Sequence, residues 1–141
     1  MLSAATTPDP MAIPRPEVSV PVIDFPHGLP GFPEARSFQL EPVPATLPLL
    51  RLRAMDLPAL TFLLVGSPEG GPTLATIESV CAGLGLSPPD TVVLFVATRI
   101  AGDLLVNLRA PILIDPAGRR GRQVVLPDPK LPLRAPYRFV T

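Results

Sequence analysis

The sequence predicts an all-β protein, mainly antiparallel, that folds into a small minimal barrel-like domain with one short helix. Three observations favour this fold class. Short apolar stretches recur at intervals of about 8–12 residues, which is typical of small sandwiches and barrels. Proline accounts for 22 of the 141 residues, and proline ends helices and cannot donate to a central ladder. Clusters of glycine and proline separate the apolar stretches, as turns require.

The predicted strands differ in how their apolar residues are spaced. Three stretches alternate with a period of two: 19–25, 37–43 and 47–55. The stretches 60–66 and 91–98 are continuously apolar, which is typical of central strands covered on both faces. The stretches 103–115 and 122–128 complete a set of roughly eight strands.

One helix is predicted, over residues 76–86. Four apolar residues fall on one face at helical spacing: Ile77, Val80, Cys81 and Leu84. Gly85 is a suitable C-terminal stop. Because the helix is short, we expect it to act as a plug or lid over one end of the barrel. Pro111, within the stretch 103–115, predicts an edge position or a bulge.

The chain is long enough for one domain with a substantial core. Residues 1–17 are small, polar and proline-rich, and we predict a disordered leader there, followed by a single domain over 18–141. The single cysteine, Cys81, fits a reducing compartment. No stretch approaches the ~18 apolar residues of a membrane span, and the start lacks the pattern of a secretory signal. A cytoplasmic location is therefore expected, without membrane association.

The charge is unevenly distributed although the formal net charge is zero. Residues 1–98 carry nine acidic residues and four arginines, and residues 99–141 carry eight basic residues and three aspartates. The first part therefore has a charge of −5 and the second of +5. This polarity favours docking to charged partners and gives no support to nucleic-acid binding through bulk charge.

The residue types argue against an enzyme. One histidine, His27, and one cysteine cannot supply the three or four ligands of a zinc or iron site. No nucleophile elbow accompanies His27, and the glycine-rich stretch 66–72 lacks the lysine of a phosphate loop. We therefore predict no catalytic residue, metal or cofactor, and expect a binding protein. The alternative is a small RNA-binding barrel that uses the basic hairpin at 118–122.

Three stretches resemble the flagellar assembly factor FliW family. The stretch "FPHGLPGFPEARSFQL" (25–40) is similar to the signature near the start of that family, and "NLRAPILIDPAGRRGRQVVL" (107–126) is similar to its second hallmark. Between them, "LPALTFLLVGSP" (57–68) is similar to the family's apolar central strand. The resemblance covers about residues 20–138, in the expected order.

This resemblance implies a non-enzymatic, cytoplasmic regulator of flagellum assembly. Such a protein binds flagellin near its C-terminal region and also binds CsrA, a translational repressor, and so relieves the repression of flagellin mRNA. An amphipathic flagellin helix is expected to enter an apolar groove, and the acidic part of the chain to face the basic RNA-binding surface of CsrA. The candidate partner-binding residues are Phe25, Leu29, Phe32, Glu69, Glu78, Asn107, Leu108 and Arg109.

Some of these candidates have a second, structural interpretation. In "FPHGLPGF" the prolines and glycines predict a rigid corner, with Phe25 and Phe32 as buried anchors. The "NLRAP" residues can likewise serve the fold instead of a partner.

Overall fold

The computed structural model describes residues 22–43, 49–57, 59–66 and 68–137. Within these ranges, nine strands, one α-helix and one 3-10 helix form. In chain order they are β1 (Val22–Asp24), β2 (Ser37–Pro42), β3 (Leu49–Ala54), β4 (Thr61–Val65), α1 (Leu74–Leu84), the 3-10 helix (Pro88–Asp90), β5 (Val92–Ile100), β6 (Asp103–Val106), β7 (Ile112–Asp115), β8 (Arg120–Gln123) and β9 (Ala135–Pro136). The predicted leader, residues 1–17, lies outside the described residues.

Seven strands close into a barrel. Strands β1 to β5 pair with their sequence neighbours, all antiparallel. Strand β5 then pairs with β7, and β7 with β8, again antiparallel. The barrel closes between β8 and β1, where Asp24 and Arg120 form a parallel pair and the Asp24 amide donates to Arg119 O at 2.8 Å. This architecture confirms the prediction of a mainly antiparallel barrel with one short helix.

The two halves of strand β5 pair with different strands of the sheet. Its first residues, 92–94, pair with β7, whereas residues 97–100 pair with β6. Strand β6 in turn carries β9. The predicted single stretch 103–115 is therefore wrong as one strand: residues 107–111 form a turn that takes the chain from β6 to β7.

Pro111 stands immediately before β7, at the start of a strand and not in an edge position or a bulge. The amide of Val124 donates to its carbonyl at 3.0 Å, and the missing N–H of proline costs no ladder bond at the first residue of a strand. The prediction of a strand over 122–128 is wrong in its bounds, because β8 spans Arg120–Gln123 and residues 124–128 are outside any strand.

The barrel interior is filled by alternate residues of the strands. Phe25 and Phe38 pack edge to face with ring centroids 5.1 Å apart, beside Leu52, Leu64 and Ile112. A second cluster covers the outer face of β4, β5 and β6. It contains Val65, Phe95, Val106 and Leu108.

Tyr137 joins this outer cluster and donates a hydrogen bond to Gly66 O at 3.3 Å. Burial raises the pKa of the Tyr137 hydroxyl, so the group stays protonated and remains a donor at neutral pH.

The helix lies on the outer wall of the barrel. Ile77 and Cys81 pack against Leu113, whose side chain points outward because its neighbours Ile112 and Ile114 point into the core. The expectation of a lid over a barrel end is therefore wrong. The predicted stop is confirmed: Gly85 has a φ of 72° and caps α1. At the other end, Thr73 Oγ1 accepts from the Thr76 amide at 3.2 Å.

Candidate functional site

The stretch 25–32 is a rigid corner. The Phe25 amide donates to Arg36 O at 2.7 Å, and the Gly28 amide donates to Phe25 O at 2.8 Å. Gly28 has a φ of 65°, and a Cβ at that position would lie 2.6 Å from Pro33 O, so the turn requires glycine. Phe25 and Leu29 are buried. As partner-binding candidates they can act only by supporting the residues around them.

Phe32 does not become a buried anchor. It is 36% exposed and packs edge-on against Phe62, with ring centroids 6.1 Å apart. The expectation of burial was wrong because the turn at Pro30 and Gly31 leads the chain over the outside of the core. Of the corner's three candidates, Phe32 alone presents a side chain to solvent.

The turn at 107–111 is held by its own polar groups. Asn107 Oδ1 accepts from the amides of Arg109 (3.0 Å) and Ala110 (3.1 Å). Leu108 is buried in the outer cluster. The Arg109 guanidinium donates to Leu131 O at 2.8 Å and Pro129 O at 2.9 Å, which fastens the segment before β9. These contacts support the structural interpretation of this motif.

An apolar groove of about 290 Å³ lies beside the first turn of α1. Its lining combines the β4–α1 connection, the helix and β5: Pro68, Gly71, Pro72, Leu74, Ile77, Val93 and Phe95. Leu74 is 71% exposed. The acidic candidates Glu69 and Glu78 are both exposed and directly follow two of the lining residues in sequence. We call this surface the apolar groove.

A second groove, of about 340 Å³, lies between the end of α1 and the β7–β8 hairpin. We call it the hairpin groove. It is lined by Pro26, His27, Leu84, Gly85, Leu86, Leu113, Asp115, Arg120, Gly121 and Arg122. His27 is exposed in it. In the described ranges, no group of three His, Cys, Asp or Glu residues could hold a metal ion.

Sequence reasoning missed Leu74 and the convergence of His27 with Arg120 and Arg122. Leu74 stands three positions before Ile77 and seven before Cys81, so its helical spacing could have extended the predicted helix. No sequence pattern could have placed His27 beside the hairpin, since more than 90 residues separate them. Along the described residues, no helix is long and apolar enough to span a membrane.

Over the described residues, the fold defines a class: a small seven-stranded β-barrel with one outer helix. A sequence profile described as "FliW protein" matches residues 11–137. The flagellar assembly factor FliW of Geotalea uraniireducens is 33% identical over 121 residues, which cover 82% of this chain and 74% of the relative. The chain belongs to the FliW family of flagellar assembly factors.

Further comparisons agree with this assignment. The flagellar assembly factor FliW of Symbiobacterium thermophilum is 32% identical over 123 residues, covering 82% of this chain and 88% of that protein. A crystal structure of the flagellar assembly factor FliW superposes with a TM-score of 0.67 at 25% identity. That superposition covers 82% of this chain and 84% of the other, so the barrel described above is the fold of the family.

Proposed function

We propose that this flagellar assembly factor works in the cytoplasm by binding two proteins in turn, without catalysing a reaction. One partner is flagellin, bound near its C-terminal region. The other is the translational repressor CsrA, whose capture relieves the repression of flagellin mRNA. The observation that carries the proposal is the apolar groove beside α1 with its exposed Leu74.

The shape and chemistry of the apolar groove suit a helical partner. An amphipathic helix binds by laying its apolar face into such a groove. Nanomolar affinity requires about 12 kcal/mol of binding free energy, and a few buried apolar anchors usually supply most of it. Leu74 can become such an anchor because it already contributes to the groove wall and is exposed in the free protein.

The acidic residues at the groove suit the second partner. Glu69 and Glu78 are exposed next to the lining residues Pro68 and Ile77, where their charge can attract a basic surface. If CsrA meets these carboxylates, its binding surface overlaps the groove offered to flagellin. Overlap of this kind would make the two partners compete.

The first prediction concerns Leu74. In Leu74→Glu, affinity for the C-terminal region of flagellin should fall at least tenfold by calorimetry, because a charge replaces the exposed anchor. The helix should persist, since an acidic residue in the first turn of a helix is favourable. Val125→Glu is the matched control, because Val125 is 70% exposed and lines neither groove. Equal losses in the two variants would contradict the assignment.

Competition tests the switch itself. Calorimetric titration of CsrA into the protein saturated with flagellin should give a weaker apparent affinity than titration into the free protein. Absence of heat with both partners would refute the proposed function for this chain.

The RNA-binding alternative has one favourable observation, the exposure of Arg119, Arg120 and Arg122 on the β7–β8 hairpin. A gel shift with an unrelated RNA would support it if affinity fell steeply with salt. Tight RNA binding together with no response to flagellin or CsrA would favour this alternative.

A further inference from the structure

The hairpin groove has a basic wall built by strand β8. Arg120 and Arg122 are exposed, whereas Gly121 between them faces inward against the ring of Phe25. Alternate residues of a strand lie on the same face, about 7 Å apart, so the two guanidinium groups point outward together. His27, from the corner at 25–32, lines the same groove.

The arginines of this wall are free to bind a partner's anionic groups. In the described part of the chain, the ion pairs join Glu41 to Arg51 and Arg53 and involve neither Arg120 nor Arg122. Asp115 also lines the groove and is the register partner of Arg120, but no ion pair joins the two.

The opposite wall has the reverse polarity. It is formed by Leu84, Gly85 and Leu86, at the C-terminal end of α1, where the helix dipole is negative. Leu113 and Asp115 belong to the hairpin side of the groove, where they are the register partners of Arg122 and Arg120. The groove thus has two arginines and one aspartate on the hairpin side, and leucines at the carboxyl end of α1 on the other.

We propose that the hairpin groove binds a peptide segment of a partner protein that carries two carboxylates on either side of an apolar residue. Carboxylates of an extended segment, two residues apart, match the spacing of Arg120 and Arg122. The apolar side chain between them meets the leucines, and peptide N–H groups can donate to Asp115. One edge of β8 is paired along its whole length with β7, and the other is paired with β1 at Arg120, so we assign the contact to side chains and not to strand addition.

Nucleic acid fits this groove less well. The lining residues include no Phe, Tyr or Trp on which a base could stack. A peptide with an apolar side chain between its carboxylates can contact both the arginines and the leucines of the groove, whereas a phosphate backbone can contact the arginines alone.

This site is separate from the apolar groove. The two lie at opposite ends of α1, whose 11 residues span roughly 16 Å. The inference does not rest on binding of flagellin or CsrA, and it can fail or succeed independently.

The test is an NMR titration of the full ¹⁵N-labelled chain with the capped heptapeptide Ser-Gly-Glu-Leu-Glu-Gly-Ser. We expect a dissociation constant below about 1 mM, with shifts concentrated on the amides of Gly85, Leu86 and Gly121. Arg120→Glu/Arg122→Glu should weaken binding at least tenfold. Arg99→Glu/Lys130→Glu, a matched reversal of two exposed basic residues outside the groove, should change it less than twofold.

Three results would overturn the proposal. The first is an equal affinity for the control heptapeptide in which both Glu residues are replaced by Gln. The second is an equal loss of peptide affinity in the two double variants. The third is tighter binding of a thymidine heptanucleotide, detected at the same amides. If the charge reversal disturbs folding, Arg120→Gln/Arg122→Gln replaces it. That neutral variant should also weaken binding, and unchanged affinity in it would equally overturn the proposal.

Discussion

At the residue scale, the barrel depends on a contact between a ring and a bare backbone. A Cβ added to Gly121 would lie 2.5 Å from the Phe25 ring, so glycine is required there by packing. The same contact joins the corner at 25–32 to β8. It therefore fixes the position of His27 relative to Arg120 and Arg122 in the hairpin groove. The sequence indicated that Phe25, which ends the alternating stretch 19–25, is buried. It could not place Phe32, because that residue follows Gly31 in the turn, where no strand periodicity shows which side meets the core.

We expect Gly121→Ala to lower the free energy of unfolding by about 1–3 kcal/mol, because the methyl group overpacks the core against Phe25. Gly83→Ala is the control. It lies in α1, where an added Cβ meets nothing within 4 Å, and it should stabilise the protein by about 0.4–1 kcal/mol. Urea denaturation of both variants measures the effects, and a neutral Gly121→Ala would show that the ring can move aside.

At the scale of elements, the turn at 107–111 explains what the sequence could not predict. The apolar run 103–115 looks continuous, and the pairing that divides it depends on β5 accepting β6 and β7 on one edge. Asn107 indicates a turn, since asparagine often accepts hydrogen bonds from backbone amides two residues on. The apolar residues on both sides of it nevertheless favour the interpretation of 103–115 as one strand. Leu108 was a contact candidate because it belongs to the stretch that resembles the second hallmark of the family, and its burial in the outer cluster follows from the divided pairing.

Asn107→Ala should cost about 1–3 kcal/mol of unfolding free energy, because it leaves the Arg109 and Ala110 amides without their acceptor. Asn107→Asp keeps an acceptor at the same place and should retain most of the stability. Denaturant midpoints of the two variants provide the comparison. Similar losses in both would mean that the amide group of Asn107 matters for some other contact.

At the scale of the whole molecule, the sequence has an acidic part, residues 1–98, and a basic part, residues 99–141. Strands of both parts nevertheless form one sheet. The acidic candidates Glu69 and Glu78 are exposed and follow lining residues of the apolar groove in sequence, whereas the basic hairpin lies near the other end of α1. The uneven distribution of charge along the chain could be predicted, because it requires only the order of the charged residues in the sequence. The hairpin groove escaped prediction because it joins the corner at 25–32 to α1 and to the β7–β8 hairpin, which are distant in sequence. An apolar groove was expected, but its lining by the β4–α1 connection, α1 and β5 was not.

Charge reversal tests the acidic surface. We expect Glu69→Lys/Glu78→Lys to slow association with CsrA by about tenfold at low salt, through lost electrostatic steering. The difference should shrink as salt rises. Glu34→Lys/Asp56→Lys changes the net charge equally at two other exposed residues and should have a smaller effect. Stopped-flow measurements across a salt series give the association rate constants with CsrA. If these rate constants depend on salt in the same way for both double variants, Glu69 and Glu78 do not form a specific acidic surface.

The closure of the barrel determines when the growing chain can complete its fold. Asp24 and Arg120, the pair at the closing strands, stand 96 positions apart, whereas β1 to β5 pair with their immediate sequence neighbours. During synthesis the N-terminal strands leave the ribosome first and can assemble an open sheet whose β1 edge is still unpaired. Such an edge is a template for other strands, so the growing polypeptide is exposed to aggregation until β8 emerges and caps it.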